Sequence, residues 1–350
     1  MNETKELLKR FESGAQSWAD YEDYLKLNSK EIEPFLQLAL KLKMRYFNNI
    51  LKIYTPGKRF PAISLTGSQC ALSCEHCNKK YLKNMHPITN NKDLRSFLLK
   101  HSKEGGTGAL ISGGCLPDGS VPLLNYIESI QSIKNETDLI INAHTGLIDE
   151  NSAKRLAEAK VDIISFDLNL DDEIIKDIYH LDKNLEDYIK VLNILRKYKL
   201  NIVPHICIGL HYGKLHKELE TIRYLKDSDL NPSLIVLIAL IPPNDTKRKF
   251  EIPKPIDIAK VISIIRFVFP RTEISLGCMR PRGALKLEIE KIAFKAGINR
   301  IEIPSKKTLN WAKKVFPEIN YQFFSACCAI PQEFEELAQS RDNIVKKYQI

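Results

Sequence analysis

Three cysteines lie within one short stretch of the chain, in the order C-x3-C-x2-C. They are Cys70, Cys74 and Cys77, and they follow an apolar run at residues 60–65 that predicts a β-strand. Three thiolates on a single loop can hold three irons of a cubane iron-sulfur cluster, which commonly takes four cysteine ligands. The spacing therefore predicts a cluster whose fourth iron is open to a further ligand.

The alternative for closely spaced cysteines is a structural zinc site. Zinc knuckles combine one C-x2-C pair with a second pair of cysteines or histidines at matching spacing. Cys74 and Cys77 form one such pair, and the sequence contains no second one. The iron-sulfur interpretation is therefore favoured.

The composition predicts a globular cytoplasmic protein. Of the 350 residues, 44% are hydrophobic and 27% charged, which is enough apolar material for a large core and argues against disorder of the whole chain. The longest apolar run, at residues 234–241, is too short to span a bilayer, and the polar start lacks a secretory signal. In a reducing compartment, the eight cysteines are expected to serve as metal ligands rather than disulfides.

The net charge is +9, from 52 basic and 43 acidic residues. A basic surplus indicates an acidic partner or simply confers solubility. The basic residues are scattered, without an arginine-rich tail or interleaved aromatic residues, so a nucleic-acid partner is not expected. An acidic protein substrate remains compatible with this charge.

Alternating apolar runs and helical stretches predict repeated βα units on a parallel sheet. Residues 1–55 have helical periodicity and are predicted to form an N-terminal helical extension. The eight predicted strands are residues 60–65, 108–112, 139–143, 161–166, 201–208, 233–240, 273–277 and 300–303.

Eight such strands predict an α/β fold of the (β/α)8 TIM type over residues 56–305, with a partial (β/α)6 barrel as the alternative. The βα alternation is predicted to stop after the eighth strand. Residues 306–350 would then form a C-terminal extension, with Pro331 opening a final helix. Active sites of such barrels lie at the carboxyl ends of the strands, so residues at these ends are the candidates for binding.

The second predicted strand ends in Ser112, Gly113 and Gly114, followed by Cys115. A glycine pair lets the backbone approach a ligand without an intervening side chain, although glycines also serve as plain turn formers. Beside the cysteine loop, this segment is a candidate for cofactor binding.

Polar residues alternate after the fourth predicted strand, at Asp167, Asn169 and Asp171. Alternating residues share one face of a strand, and such a row at a barrel mouth suits ribose or carboxylate binding. We predict Asp167 and Asn169 as ligands and Asp171 as the cap of the next helix.

His205 and Cys207 share a face of the fifth predicted strand, which ends in Gly209. His205 and Gly209 are therefore candidates for cofactor binding. Cys207 is predicted to be a small buried hydrophobic residue rather than a ligand.

The segment from Cys70 to Cys77, with sequence Cys-Ala-Leu-Ser-Cys-Glu-His-Cys, resembles the signature of the radical S-adenosylmethionine enzymes. The resemblance implies that the open iron binds the methionine end of that cofactor. It also implies that one electron, from a donor such as ferredoxin, cleaves a carbon-sulfur bond to give a 5'-deoxyadenosyl radical. By the same resemblance, His76 lies near the adenine and the backbone of residues 112–114 receives the methionine amino group.

Three segments between residues 55 and 305 resemble the biotin synthase group, namely 169–171, 208–210 and 274–278. In that group, three further cysteines and an arginine hold a second cluster that is consumed as sulfur donor. The matching cysteines are not reproduced, because Val203 stands near one position and only Cys115 is placed for another. Biotin formation by that route is therefore not expected.

Residues 276–283 and 296–304, together with the late pair Cys327-Cys328, resemble the archaeal-type two-protein lipoyl synthases. Those enzymes insert sulfur into an octanoyl chain carried on a lysine of an acidic lipoyl domain. The resemblance implies a lipoyl carrier protein or octanoyl-lysine as substrate and a second radical enzyme subunit as partner. The basic surplus fits an acidic carrier.

Such a reaction requires a second 4Fe-4S cluster as sulfur donor. The predicted ligands are Cys115, Cys278, Cys327 and Cys328, with Cys207 in reserve. The sequence thus predicts a radical sulfur-insertion enzyme, without a nucleic-acid or membrane partner. A radical enzyme without sulfur transfer and a non-enzymatic metal-binding protein remain as alternatives.

Overall fold

The computed structural model describes residues 2–228, 230–244 and 249–339. Within these ranges, eleven strands form a single sheet in which every pair of neighbouring strands is parallel. They are β1 (Ile50–Tyr54), β2 (Ala62–Ser64), β3 (His86–Pro87), β4 (Gly108–Ser112), β5 (Ile140–His144), β6 (Ile163–Asp167), β7 (Ile202–Ile208), β8 (Leu234–Ala239), β9 (Glu273–Leu276), β10 (Arg300–Glu302) and β11 (Asn320–Phe324).

The strand order across the sheet is β11-β1-β10-β9-β8-β7-β6-β5-β4-β2-β3. The eight strands predicted from the sequence are β2 and β4 to β10, and they stand side by side in one uninterrupted row. Each lies within two residues of its predicted bounds. The prediction of an α/β barrel-like fold is confirmed, with β11 and β3 as the two ends of a curled sheet.

Three strands, β1, β3 and β11, were not predicted from the sequence. Strand β1 lies inside the range predicted as helical, and Lys52 interrupts its apolar pattern; β3 has only two residues. The prediction that the alternation stops after β10 is wrong, because a further helix and β11 follow. In β11 exposed polar residues alternate with partly buried ones, so the sequence has no apolar run there that would predict a strand.

Twelve α-helices connect and flank these strands within the described ranges. They are α1 (Asn2–Ser13), α2 (Trp18–Lys26), α3 (Glu33–Phe47), α4 (Asn91–Lys103), α5 (Ile127–Glu136), α6 (Glu150–Glu158), α7 (Leu185–Lys197), α8 (Glu218–Asp227), α9 (Pro255–Val268), α10 (Ala284–Lys295), α11 (Lys306–Val315) and α12 (Glu335–Ala338). None of the helices in the described ranges is long and apolar enough to span a membrane.

The first three helices cover α9 on the outside of the sheet. The Tyr24 hydroxyl is hydrogen-bonded to the Ser263 hydroxyl at 2.8 Å, and the rings of Phe11 and Phe267 lie 4.9 Å apart edge to face. Residues 258–268 of α9 are buried in succession as a result. A largely apolar helix is stable in this place because neighbours bury every face of it. The division of the chain at residues 55 and 305 stays a prediction, although β1 and β11 add their strands to the same sheet from beyond those bounds.

The inner face of the sheet encloses a second apolar cluster that includes the chain after β11. Side chains from β1, β5, β7 and β11 meet there with Ala326, Ala329 and Ile330. The Thr107 hydroxyl, just before β4, donates to the Ser325 carbonyl at 2.7 Å. Residues 325–339, here called the C-terminal segment, therefore lie inside the curl of the sheet. Pro331 precedes a 3-10 turn and α12, and the rest of the predicted final helix lies outside the described residues.

Candidate active site

The cysteine loop lies beyond the carboxyl end of β2 and contacts the chain after β4. The backbone N–H of Ala71 donates to the Cys115 carbonyl at 2.8 Å, and the N–H of Cys115 donates to Cys70 Sγ at 3.2 Å. Two backbone contacts with one residue hold the first cysteine of the loop in place. Cys115 therefore belongs to the surroundings of this loop.

The other side of the loop packs on the chain after β6. The N–H of Glu75 donates to the Ile178 carbonyl at 2.8 Å, and Cys74 Sγ lies 3.6 Å from the Tyr179 carbonyl oxygen. The rings of His76 and Tyr179 are 5.2 Å apart. The three cysteines are thus held between the chain after β4 and the chain after β6.

Of the glycine pair after β4, Gly114 is required by close packing of the protein on itself. A Cβ at Gly114 would lie 2.0 Å from the Gln69 carbonyl oxygen and 2.6 Å from Cys70 Cβ, whereas at Gly113 the nearest atom would be 3.2 Å away. The Thr66 hydroxyl accepts the Gly114 N–H and donates to the Gln69 carbonyl, both at 2.7 Å. Gly114 therefore lets the cysteine loop approach β4.

The thiols of the loop differ in their electrostatic surroundings. A hydrogen bond from the Cys115 thiol lowers the pKa of Cys70, while burial raises the pKa of Cys77 and raises that of Cys74 to about 12. A thiol must lose its proton to bind a metal, so cluster assembly here releases protons. Cys70 is the thiol most ready to do so.

Two buried polar atoms beside the loop fit a polar cofactor. In the described part of the chain, neither His76 Nδ1 nor Asn169 Nδ2 has a hydrogen-bond partner, although both atoms are buried. Burial lowers the pKa of His76 to about 4, so its ring is neutral at pH 7. Buried polar groups without partners are costly, and a bound ligand with complementary atoms removes that cost.

Asp167 and His205 lie on adjacent strands, with His144 beside both. His144 Nδ1 is 4.0 Å from Asp167 Oδ2, and the rings of His144 and His205 are 5.2 Å apart. Asp167 is 64% exposed at the mouth, whereas burial lowers the pKa of His205 to about 4. The sequence analysis missed His144, although it is the last residue of β5 and lies at the same strand ends as the predicted residues.

Ser112 and Gly209 have structural partners of their own. The Ser112 carbonyl accepts the Leu65 N–H at 2.8 Å. Gly209 has a φ of +74°, and its N–H donates to a carboxyl oxygen of Glu218 at 2.9 Å. Cys207 is partly buried and packs against an apolar cluster, and its assignment as a hydrophobic residue rather than a ligand stays a prediction. Contact of Ser112, His205 and Gly209 with a cofactor stays a prediction.

A second thiol set lies beyond the carboxyl ends of β9 and β10. Glu302 Oε2 accepts the Cys328 N–H at 3.2 Å and lies 3.9 Å from Cys327 Sγ. Burial raises the pKa of the Glu302 carboxyl, against hydrogen bonds from the thiols of Cys328 and Cys278 that lower it. The Glu302 carboxylate therefore contacts the Cys327-Cys328 pair, and Cys278 lies within its electrostatic reach.

A buried network of charges fixes the C-terminal segment that carries two of these cysteines. Lys52 contacts Glu273 and Glu335, each at 2.8 Å, and Arg300 bonds to both carboxylates. The Tyr54 hydroxyl donates to Glu335 at 2.6 Å. Arg300 also donates to the carbonyls of Cys328 and Ile330.

Arg280 is part of the framework of the second thiol set. It is 2% exposed, forms an ion pair with Glu290 and donates to the Glu302 carbonyl at 2.9 Å. Its guanidinium therefore supports the strand end that carries Glu302.

Tyr81 lies within electrostatic reach of both thiol sets. Burial raises the pKa of its hydroxyl, and the negative charges of Cys77, Cys207 and Cys278 raise it further. Cys77 belongs to the first set and Cys278 to the second. Because both sets follow the carboxyl ends of strands in one parallel sheet, they lie at the same edge of that sheet. The complete ligand sets stay predictions.

Comparison with known proteins supports the chemistry of the first set. A family model described as the Radical SAM superfamily matches residues 64–225, which include all three loop cysteines. The chain is 25% identical over 248 residues to a biotin synthase of Christiangramia forsetii, covering 68% of this chain and 66% of that protein, just under two thirds of its length. It is 22% identical to a biotin synthase of Flavobacterium psychrophilum over 80% of this chain and 76% of the relative.

Solved structures of the same architecture support the fold. The FeFe-hydrogenase maturase HydG from Carboxydothermus hydrogenoformans superposes with a TM-score of 0.70 at 16% identity, covering 95% of this chain and 82% of that one. Methylornithine synthase superposes with a TM-score of 0.60 at 17% identity, covering 85% of each chain. Residues 64–225, which carry the three thiols held at the barrel mouth, are thus similar to the Radical SAM superfamily.

Proposed function

We propose that this chain is a radical S-adenosylmethionine enzyme that inserts sulfur into an octanoyl-lysine chain, as a component of a lipoyl synthase. The observation that supports this most directly is the pair of thiol sets in one region beyond the strand ends. A radical enzyme requires the first set. The second set would hold the cluster that donates sulfur to the substrate radical.

The cysteine loop would hold the first 4Fe-4S cluster through Cys70, Cys74 and Cys77. When bound, S-adenosylmethionine and the two clusters supply a carbon radical, an electron acceptor and sulfide, so that a substrate C–H bond is replaced by a C–S bond while the cofactor is reduced to methionine and 5'-deoxyadenosine. His76 and Asn169 offer buried polar atoms to the cofactor. Close packing of Gly114 on the loop keeps the thiols in position.

The second cluster would be held by Cys278, Cys327 and Cys328, with Glu302 as the fourth donor in place of Cys115. Cys115 contacts the first loop, whereas the Glu302 carboxylate contacts the Cys327-Cys328 pair and influences Cys278 electrostatically. A carboxylate is a weaker cluster ligand than a thiolate, which suits a cluster that must release sulfide. Arg280 supports the strand end that carries Glu302. The buried charge network holds the segment that carries Cys327 and Cys328.

The choice of substrate follows the segments that resemble lipoyl synthases. Residues 276–283 and 296–304 and the Cys327-Cys328 pair, which carry that resemblance, meet around Glu302 in the fold. The net charge of +9 favours encounter with an acidic carrier domain. A second radical enzyme subunit would complete the two sulfur insertions.

One observation favours a second candidate, a radical enzyme without sulfur transfer. Ligand atoms of Glu302, Cys327 and Cys328 lie within 4.8 Å of one another, close enough to hold a single ion. A zinc ion held by these residues and Cys278 would be structural, because four thiolate and carboxylate donors complete a tetrahedron. Sulfur donation would then be excluded.

Metal content separates the two candidates. After anaerobic reconstitution with iron and sulfide, two cubane clusters give about eight irons per chain, and one cluster with a zinc ion gives about four irons. The Cys328→Ser variant should lose about half of the iron if the second set holds a cluster. Cys207→Ser is the matched control, because Cys207 contacts neither set, and it should retain all of the iron.

Activity is tested with an octanoyl-lysyl peptide, S-adenosylmethionine and a low-potential reductant under anaerobic conditions. Mass spectrometry should show a peptide heavier by sulfur, together with 5'-deoxyadenosine. Cys328→Ser should still form 5'-deoxyadenosine but leave the peptide unchanged. Cofactor cleavage by the wild-type chain without any sulfur in the peptide would contradict the assigned substrate.

A further inference from the structure

Three metal-ligating side chains meet on the loops after β6 and β7, apart from both thiol sets. Glu173 follows β6, and His211 and His216 follow β7. Glu173 Oε2 lies 3.3 Å from His211 Nε2 and 4.0 Å from His216 Nε2. The two imidazoles stack with their centroids 4.2 Å apart and their planes inclined by 15°, so their Nε2 atoms face the same carboxylate.

The shorter of these two distances matches the ligand spacing around a small divalent ion, and a small shift of His216 would bring the longer one to it. Bonds of about 2.0–2.1 Å from an ion to nitrogen and oxygen separate tetrahedral ligands by roughly 3.4 Å. The separation of 3.3 Å matches this value, and the separation of 4.0 Å is about 0.6 Å longer. Two histidines and one carboxylate are also a common donor set for zinc and for non-haem iron, with one or more positions left open.

A buried carboxylate orients one of the histidines. Asp171 is 2% exposed, and its Oδ2 lies 2.6 Å from His216 Nδ1. Its Oδ1 accepts the N–H groups of Glu173 and Ile174 at 3.0 and 3.4 Å, which is the predicted capping role. A carboxylate on the second ring nitrogen is the usual support of a metal-binding histidine, because it fixes the tautomer and leaves Nε2 free to ligate.

The loop that carries both histidines is fixed by a second carboxylate. The two oxygens of Glu218 accept the N–H of Gly209 at 2.9 Å and that of His216 at 2.6 Å. Glu218 therefore holds the two ends of the stretch from β7 to His216 together. The ligands are consequently positioned from both loops before an ion arrives.

We infer that Glu173, His211 and His216 bind one divalent transition-metal ion of the zinc or iron(II) class, with Asp171 as a positioning residue. The ion joins the loop after β6 to the loop after β7. The chain just after Glu173 packs on the cysteine loop through the Ile178 and Tyr179 carbonyls. The ion therefore stabilises the chain on one side of the first thiol set without contacting the cysteines.

The test uses the full chain after anaerobic reconstitution of its clusters, dialysed against zinc and analysed by plasma mass spectrometry. The wild-type chain should bind one zinc more than His211→Ala or His216→Ala. His86→Ala is the matched control, since it removes an exposed imidazole from the distant strand β3, and it should bind as much zinc as the wild type. Equal zinc in all four proteins would overturn the assignment.

The ligand shell and the role of Asp171 give independent readouts. Zinc-edge X-ray absorption should show nitrogen and oxygen at about 2.0–2.1 Å, whereas sulfur at about 2.3 Å would place the ion on cysteines and overturn the proposal. Asp171→Asn should weaken zinc binding about 10–100-fold while the ligands remain. Unchanged affinity in that variant, with an unchanged thermal melting temperature, would contradict its positioning role.

Discussion

The two thiol sets of this protein are assembled in opposite ways. Cys70, Cys74 and Cys77 lie on one loop, and hydrogen bonds to the chain after β4 and after β6 hold that loop in place. The second set collects Cys278, Glu302 and the Cys327-Cys328 pair from three separate segments. The first therefore depends on a local backbone shape and the second on the packing of the whole barrel.

The two sets therefore depend on different supporting residues. The cysteine loop needs Gly114 and Thr66, which allow and fix its approach to β4. The second set needs the buried charges that hold the C-terminal segment inside the sheet. Substitutions should consequently damage one set and spare the other.

The largest effect is expected from Cys74→Ala. Loss of a supporting partner of a metal ligand already lowers activity or affinity about 10–100-fold, so loss of a ligand should lower 5'-deoxyadenosine formation more than about 100-fold. Liquid chromatography of anaerobic reactions measures it. Iron in the second set should remain. If the loss of Cys74 also removed that iron, the independence of the two sets would be refuted.

Glu335→Gln should loosen the C-terminal segment, which carries Cys327 and Cys328 of the second set. Removal of one carboxylate from this buried ion network leaves the two cations Lys52 and Arg300 with the single charge of Glu273 and costs about 3–5 kcal/mol. Hydrogen exchange should show faster exchange in the C-terminal segment, and the variant should lose iron from the second set only. Glu336→Gln, at an exposed position of the same helix, is the matched control. Equal exchange in both variants would show that the network does not hold the segment.

Gly114→Ala should disturb the first set by steric conflict. The added Cβ would lie 2.0 Å from a backbone oxygen of the cysteine loop, and overpacking of this kind costs about 1–3 kcal/mol or more. We expect less iron in the first set and less 5'-deoxyadenosine. Gly113→Ala is the control, because its nearest contact of 3.2 Å requires only a small shift. A larger defect in the control than in Gly114→Ala would contradict this packing argument.

Thr66→Val should have the smallest effect. It removes one hydroxyl that accepts from Gly114 and donates to Gln69, each contact contributing about 0.5–1.5 kcal/mol. The variant should retain both clusters but lose first-set iron sooner when challenged with a chelator. A rate of iron loss equal to that of the wild type would mean that the glycine packing alone holds the loop.

Much of the fold could be predicted because parallel strands are buried on both faces and appear as short apolar runs. All eight predicted strands were found by this signal. Strand β1 was missed because it carries Lys52, whose charge is compensated by Glu273 and Glu335 from far along the chain. Strand β11 was missed because polar residues alternate along it at the end of the sheet. When a residue is buried because its partners lie far along the chain, the sequence around it shows no local pattern.

The sequence by itself determined that Cys70, Cys74 and Cys77 share one loop, because they are near neighbours in the chain. Their role as cluster ligands, and that of the cysteines in the second set, stays a prediction. Only the tertiary structure decided that Cys115 lies with the first set and that Glu302 stands among the others, 25 residues from Cys327 in the chain. The reason is physical: contacts between distant segments are fixed by the order and register of the strands, which no local spacing encodes.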